Sequence, residues 1–461
     1  MIIHMDVWME KFLERIIYLF NTIDTYFLIS GIFCYVAFSF LLAMPINFTS
    51  IIVYSLFLYA MFKLGDFYLY YSFMIPVFIY LFYLIPNFDI ILFSGLLLTS
   101  IVFFYLSQFF LYSVPYMIIL KDITLPFRII VNSMITFAPT SSSAIMSIFF
   151  SSMLTMLLFF QPNPLNYNSA GLLGFILAAS LLNRLFLPKT FQSGDFKPEE
   201  RRNVKRVIYL NIDGCRHDRF NQANLPFMRY LEQNSAYFKN GAITVYRALT
   251  NPAFAAILTG ATPKENGVMD NNFHSGLKLE ALPDLVDTIL YGNIHIKDIT
   301  KPNWTSKVVS LPKYGVKSDD VLINMLKEDL LNNKARLFIA DLSDVDIAGH
   351  AYGSESKHYI KALQRIDNRI EKFFNWLKIN KLDKDTIVII GSDHGQAGME
   401  HSYMFAKSEK YVPLIFYGEG IKHKVIDYIP SIMDLNLTMS YILGLKYCKS
   451  AKGRVLSDIF D

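Results

Sequence analysis

Between residues 26 and 187 this chain carries only seven charged side chains: Lys63, Asp66, Asp89, Lys121, Asp122, Arg128 and Arg184. A soluble domain is not built on so few, since about a quarter of its residues are ordinarily charged. From residue 188 onward the chain returns to that ordinary density. The whole-chain figures of 53% hydrophobic and 18% charged residues therefore average two unlike halves. The split excludes a purely soluble enzyme, a disordered protein and a single-span anchor. A net charge of +4 is too small to point to nucleic acid. Three cysteines, Cys34, Cys215 and Cys448, are too few for a disulfide framework.

Crossing a bilayer takes about 20 predominantly apolar residues. Such stretches lie near 26–46, 48–64, 67–86, 89–112, 130–160 and 170–187. The second is short, and the fifth is over-long and interrupted by Pro139 and a polar run from Thr140 to Ser143. They predict a multi-pass α-helical transmembrane domain of about five to seven helices over 26–187. Residues 1–25 mix charges with an apolar stripe and are expected to lie at the membrane interface, with no recognisable cleavable signal peptide. Gln108 and Asn132 are isolated polar residues within spans and are read as interhelical hydrogen-bond partners. Basic loops tend to stay in the cytoplasm. Lys11 and Arg15, then Lys63, then Lys121 and Arg128 fall on one side if six spans alternate. The basic linker 188–206 then favours the cytoplasmic face of a cell membrane for the globular half, although a long domain crosses largely regardless of flanking charge.

From residue 207 to 461, short apolar runs alternate with amphipathic stretches. Val207–Ile212, Leu337–Ala340, Thr386–Ile390 and Leu414–Tyr417 have the pattern of buried strands. Leu225–Asn234, 357–378 and 431–443 have that of helices. The alternation predicts an α/β domain whose mostly parallel sheet is covered by helices on both faces. Ligands bind such sheets beyond the carboxyl ends of the strands, and here those ends are rich in metal-binding side chains. Asp213 directly follows the first strand. Asp341, Asp344, Asp346 and His350 follow the second, and Asp393 and His394 the third. His401 precedes the fourth, and Thr250 opens an apolar helical stretch. A hydroxyl at a helix N-terminus is placed to attack phosphorus, because the backbone N–H groups there stabilise added negative charge. Mixed carboxylate and imidazole ligands suit Zn²⁺, or Mn²⁺, better than Mg²⁺ or Ca²⁺. Three Asp and three His, six such ligands beside Thr250, exceed one tetrahedral ion and fit two divalent ions, a pair that can clamp an in-line displacement.

Five motifs carry a family resemblance over residues 205–461: Asn211-Ile-Asp-Gly-Cys-Arg, Thr250-Asn-Pro-Ala-Phe-Ala-Ala-Ile-Leu-Thr-Gly, Asp270-Asn-Asn, Asp346-Ile-Ala-Gly-His-Ala-Tyr-Gly and Ser392-Asp-His-Gly. With these the chain resembles the alkaline phosphatase superfamily, most closely its type I phosphodiesterase / nucleotide pyrophosphatase branch. The resemblance implies one metal held by Asp346, His350 and His401, and another by Asp213, Asp393, His394 and Thr250. It implies Thr250 as the nucleophile, with Asn271 and the Thr250 backbone N–H holding a phosphate oxygen. It also implies a phosphothreonine intermediate discharged by water or by a second alcohol. A threonine at this position argues against a sulfatase, whose counterpart is cysteine or serine. His401 follows His394 by seven residues, a short spacing that looks more like membrane phosphoethanolamine transferases, whose order of spans and catalytic domain this chain shares. Relatives with that layout work mostly outside the cytoplasm, against the basic flank.

The expected activity is thus a membrane-embedded two-metal phosphodiesterase or phosphatase acting on an amphiphilic, lipid- or glycan-linked phosphate ester. A phosphoethanolamine- or phosphoglycerol-type transferase is the alternative, and a non-catalytic transporter or scaffold a third reading. Asp341 and Asp344 are read as structural or supporting, Arg216, His217 and Asp218 as surface pairing, and Cys215 as buried rather than reactive. His274 and Lys264 are read as candidate substrate contacts, and His423 competes with His401 for the last ligand position.

Overall fold

The computed structural model describes residues 23–65 except 42, single positions and short pieces between 94 and 178, and residues 204–461 except 270, 272–276, 310–316, 399–400 and 402–405. The interfacial segment, the spans beyond residue 65, the 188–206 linker up to Asn203 and His274 lie outside the described residues or are only touched by them. The chain divides into two units, one holding most of 15–188 and the other 189–461.

In the first unit, helices α1 (Ile23–Leu41) and α2 (Phe48–Gly65) occupy the first two expected spans. Asn47 starts α2 by accepting the Ser50 N–H on its Oδ1 at 3.1 Å, a side-chain N-cap. The Tyr35 hydroxyl accepts the Asn47 N–H at 2.9 Å, and its ring meets Phe159 edge-on at 5.2 Å. Among the described residues, no helix is long and apolar enough to cross a membrane.

In the second unit the strands are β1 (Arg206–Ile212), β2 (Ala236–Phe238), β3 (Ala242–Ile243), β4 (Thr288–Gly292), β5 (Thr305–Val308), β6 (Leu337–Leu342), β7 (Thr386–Gly391), β8 (Tyr411–Val412), β9 (Leu414–Tyr417) and β10 (Lys424–Ile426). The longer helices are α3 (Pro226–Gln233), α4 (Thr250–Thr259), α5 (Ser318–Asn332), α6 (Asp344–Tyr352), α7 (Lys357–Ile379) and α8 (Asp434–Ile442). Among the described residues an eight-stranded sheet runs β10-β2-β9-β7-β1-β6-β4-β5. Its strands are parallel except β9, which runs against both β7 and β2.

The three central strands are buried along their whole length, which is why they read as continuous apolar runs rather than alternating ones. Their side chains still alternate between faces. Val207 and Tyr209 join one core with α4 and α8. Ile208, Leu210 and Ile212 join the other, with α3, α5 and α7. Helix α7 is amphipathic at helical spacing: Tyr359, Leu363, Ile366, Ile370, Phe373 and Leu377 are buried. Its N-cap Ser356 accepts the Tyr359 N–H at 3.2 Å.

This frame fixes the start of α6, the helix that carries two candidate ligands. The buried Asp319 of α5 accepts the N–H groups of Ser343 and Asp344 at 3.0 and 3.2 Å. Asp344 is held in turn by Arg365 through two bonds of 2.8 and 2.7 Å, and by Arg369 at 2.6 Å. Asp344 is thus an anchor for α6, in keeping with a supporting role.

Candidate metal centre and nucleophile

Strand β1 ends at Ile212, and Asp213 stands on the turn after it. Gly214 adopts φ +68°, a conformation that favours glycine. A Cβ there would lie 2.6 Å from Asp346 Oδ1, so glycine also lets the two carboxylates approach. The Tyr359 hydroxyl pins this turn, donating to the Gly214 carbonyl at 2.6 Å and accepting the Arg216 N–H at 2.9 Å. Arg216, expected at the surface, is buried instead. Its guanidinium bonds Asp218 twice, at 3.0 and 2.7 Å, and reaches Ser354 at 2.8 Å as well as Glu355. An arginine can be buried here because its planar fork satisfies several acceptors at once. Asp218 lies exposed and His217 half-buried. Cys215 is fully buried, and burial pushes its thiol up, away from reactivity.

The candidate ligands fall into two groups. Asp346, His350 and His401 form one, and Asp213, Asp393 and His394 the other; within each group one ligand atom per residue lies within 4.8 Å of the rest. In the first, His350 Nε2 is 3.3 Å from Asp346 Oδ2 and 3.2 Å from His401 Nε2. The i, i+4 spacing on α6 puts Asp346 and His350 on one face. In the second, His394 Nε2 is 3.4 Å from both Asp213 Oδ1 and Asp393 Oδ2. The His394 and His401 rings stack at 4.0 Å and join the groups. His423 lies on the surface, and His401 is the histidine brought to the cluster.

The histidines are oriented by their other nitrogens. His394 Nδ1 faces the Gly395 carbonyl at 3.0 Å, and His401 Nδ1 faces the Ala248 carbonyl at 2.7 Å. With Nδ1–H donating there, each Nε2 lone pair points at its group, as ligation requires. Burial, then the nearby His394, holds His401 well below its ordinary pKa and therefore neutral.

Asp213 Oδ1 and Asp393 Oδ2 are buried without a hydrogen-bond partner. Burial, then the charges of Asp393 and Asp346, pushes the Asp213 carboxyl well above 3.8, and burial also raises Asp393 against the pull of His394. Burial would raise Asp346 too, but His350 beside it holds it below the usual range. Buried carboxylate oxygens without a hydrogen-bond donor, beside imidazole nitrogens that face them, fit divalent ions. Protons compete with a cation for these oxygens, so the raised values extend that competition upward. Zn²⁺ uptake is expected to go on strengthening as pH rises through the window above the ordinary carboxylate range rather than level off at its foot. Equilibrium dialysis across that window checks it; a flat profile contradicts it.

Thr250 is the first residue of α4, with Leu249 as N-cap. Its Oγ1 lies 3.2 Å from His394 Nε2. Asn271 Oδ1 accepts the Asn251 N–H at 2.9 Å, which leaves the Asn271 amide nitrogen to donate elsewhere. Thr250 is the first helical residue, so its N–H has no acceptor within α4 and remains for a bound oxyanion. Lys264 is exposed on a short helical turn.

Sequence reasoning missed Gln396. It is fully buried and donates through Nε2 to both the Asp346 carbonyl and Asp346 Oδ1. A Cβ on Gly349 would lie 1.4 Å from Gln396 Oε1. Gly349→Ala should therefore push the amide off Asp346. Alanine is the better helix former by about 1 kcal/mol, so stability is expected to hold. Affinity for the ion at Asp346 is expected to fall about tenfold or more, as when an outer partner of a ligand is removed. Chelator competition beside a melting curve separates the two.

The family model for type I phosphodiesterase / nucleotide pyrophosphatase matches residues 207–283 and 286–414. Human ectonucleotide pyrophosphatase/phosphodiesterase family member 1 is 25% identical over 254 residues, covering 49% of this chain and 26% of that protein. GPI ethanolamine phosphate transferase 1 of Yarrowia lipolytica is 25% identical over 193 residues, covering 37% of this chain and 20% of its own length. The chain thus spans about a quarter of the length of these curated relatives. Murine ectonucleotide pyrophosphatase / phosphodiesterase 5 superposes with a TM-score of 0.47 at 13% identity, over 56% of this chain and 100% of that one.

Proposed function

We propose, from a globular half that belongs to the alkaline phosphatase superfamily in its type I phosphodiesterase / nucleotide pyrophosphatase branch, that this chain is a membrane-embedded phosphoesterase working through Thr250. The observation that carries the reading is the 3.2 Å approach of Thr250 Oγ1 to His394 beside two clusters of candidate ligands. Asp346, His350 and His401 would hold one ion, and Asp213, Asp393, His394 and Thr250 the other. Two divalent ions, Zn²⁺ or Mn²⁺, supply Lewis acidity and offset charge on the transferring phosphoryl group. Thr250 Oγ1 attacks phosphorus in line, an O–P bond forms, its proton is released, and the ester alcohol departs and is reprotonated. The Thr250 N–H and the Asn271 amide nitrogen hold a non-bridging oxygen. Water or a second alcohol then attacks the phosphothreonine and restores the hydroxyl.

The substrate is read as an amphiphilic phosphate ester. The charge-poor 26–187 segment supports a multi-pass membrane half, and so do large apolar side chains left bare on α1 and α2: Phe40 is 77% exposed, Leu41 76% and Leu56 68%. The basic residues before the catalytic half favour its cytoplasmic placement, which a C-terminal fusion reporter tests. A transferase reading, moving a phosphoethanolamine- or phosphoglycerol-type group onto a lipid-linked glycan, is favoured by the short His394-to-His401 spacing. One experiment separates the two. The purified chain, loaded with Zn²⁺, is incubated with phosphatidylethanolamine, and Thr250 is followed by mass spectrometry. An adduct discharged by water supports the hydrolase, and one discharged only by an added glycan supports the transferase. No adduct, no turnover of an aryl phosphodiester and no bound metal would return the chain to a non-catalytic scaffold.

A further inference from the structure

A line of buried polar side chains crosses four neighbouring strands at the carboxyl end of the sheet. The register pairs Asn211 of β1 with Asp341 of β6 on one side and with Gly391 of β7 on the other, two residues before Asp393. His295 follows the end of β4, next in the sheet. His295 Nε2 lies 3.1 Å from Asp341 Oδ2. Asn211 Nδ2 donates to Asp341 Oδ1 at 2.8 Å, and the same amide lies beside the Asp393 carboxylate. The Tyr209 hydroxyl donates to Asn211 Oδ1 at 3.0 Å, which settles which end of the amide faces the two carboxylates. All are buried: His295 is 8% exposed, and Asn211, Asp341, Tyr209 and Asp393 are 0%.

We propose that His295 is a positioning residue for the Asp213–Asp393–His394 ion site, acting through Asp341 and Asn211. Asp341 has one oxygen on His295 and the other on Asn211, so the imidazole sets the carboxylate's rotation and the carboxylate sets the amide's. The amide then flanks Asp393, whose Oδ1 takes the Gly214 N–H at 3.4 Å while Oδ2 has no hydrogen-bond donor and lies 3.4 Å from His394 Nε2. Outer partners of this kind fix a ligand's orientation and its affinity for the ion. Without His295, Asp341 is a buried carboxylate missing a partner and turns toward whatever donor remains. The nearest donor is the Asn211 amide, which then shifts off Asp393.

The inference rests on the two-ion reading, and the test keeps the two apart. Zn²⁺ affinity of the full chain is measured by competition with a chromogenic chelator, independently of turnover. Wild type is expected to bind about two ions. His295→Ala is expected to weaken one of them about 10- to 100-fold and spare the other. His295→Gln, whose amide nitrogen can stand where Nε2 stands, is expected to stay within about threefold of wild type. Turnover of the Ala variant should recover at saturating Zn²⁺. Should His295→Ala fail to fold, Tyr209→Phe, which frees the Asn211 amide to flip, is expected to weaken the same ion several-fold. Unchanged affinity in His295→Ala, or in Tyr209→Phe where the first does not fold, overturns the positioning role alone. A wild type that binds no ion overturns the two-ion reading and the inference with it.

Discussion

Thr250→Ala is expected to lower turnover of an aryl phosphodiester by at least about a thousandfold while the chain still binds Zn²⁺, the ion beside residue 250 less tightly than in wild type. A nucleophile has no substitute once its oxygen is gone, so the loss falls on the chemical step. The fold should tolerate the change. Thr250 is the first helical residue rather than the cap, and its hydroxyl meets His394, not a backbone N–H of its own helix. Alanine therefore costs no capping bond. Thr250→Ser keeps the oxygen and should restore part of the rate, whereas no phosphorylated species should form in the Ala variant. Undiminished turnover in Thr250→Ala would remove the nucleophile role while leaving the Asp and His ligands standing.

Asp393→Asn is expected to lose the ion shared with Asp213 and His394, and with it about a thousandfold or more in rate, the equivalent of several kcal/mol of transition-state stabilisation. A second sign distinguishes this from simple damage. Burial raises the Asp393 carboxyl, so its ionisation opposes folding in the metal-free chain. Stability carried by such a group is present at low pH and lost as pH rises through its raised value. The isosteric amide removes that penalty. Metal-free Asp393→Asn should therefore melt no lower than metal-free wild type above neutral pH, and Zn²⁺ should raise the melting temperature of wild type more than that of the variant. Inductively coupled plasma analysis with paired melting curves measures both. A variant that retains two ions contradicts the ligand role.

The parts of this site that were legible in the sequence share a cause. Strands β1, β6 and β7 are buried on both faces, so each reads as an unbroken apolar run, and Asp213, Asp346 and Asp393 follow their ends within a few residues. The outlying strands β2, β5 and β10 hold three or four residues each, too short for a comparable run, and the five-residue β4, though buried, is bounded by a threonine and a glycine, so none of the four was anticipated. Partners met across the fold were illegible for another reason. Arg216 was expected at the surface because its pairing with Ser354 and Glu355 spans 138 and 139 residues. The Asn211–Asp341 bond spans 130, and the His295–Asp341 contact 46. No local pattern marks such residues; only the strand order brings them together. The membrane half was read from composition alone, and most of its expected spans lie outside the described residues.

Gly349 and Gln396 sit 47 positions apart, yet the space one leaves is the space the other fills, to within a Cβ. Two positions bound in this way do not drift singly. A side chain acquired at 349 strands the amide at 396, and a shorter residue at 396 leaves a hole over Asp346 that only a larger neighbour closes. Across related chains they should be inherited as a pair, glycine with a long amide and a bulkier residue with something smaller. A chain with only one of the two exchanged would be recognisable from its sequence as one whose first ion is loosely held.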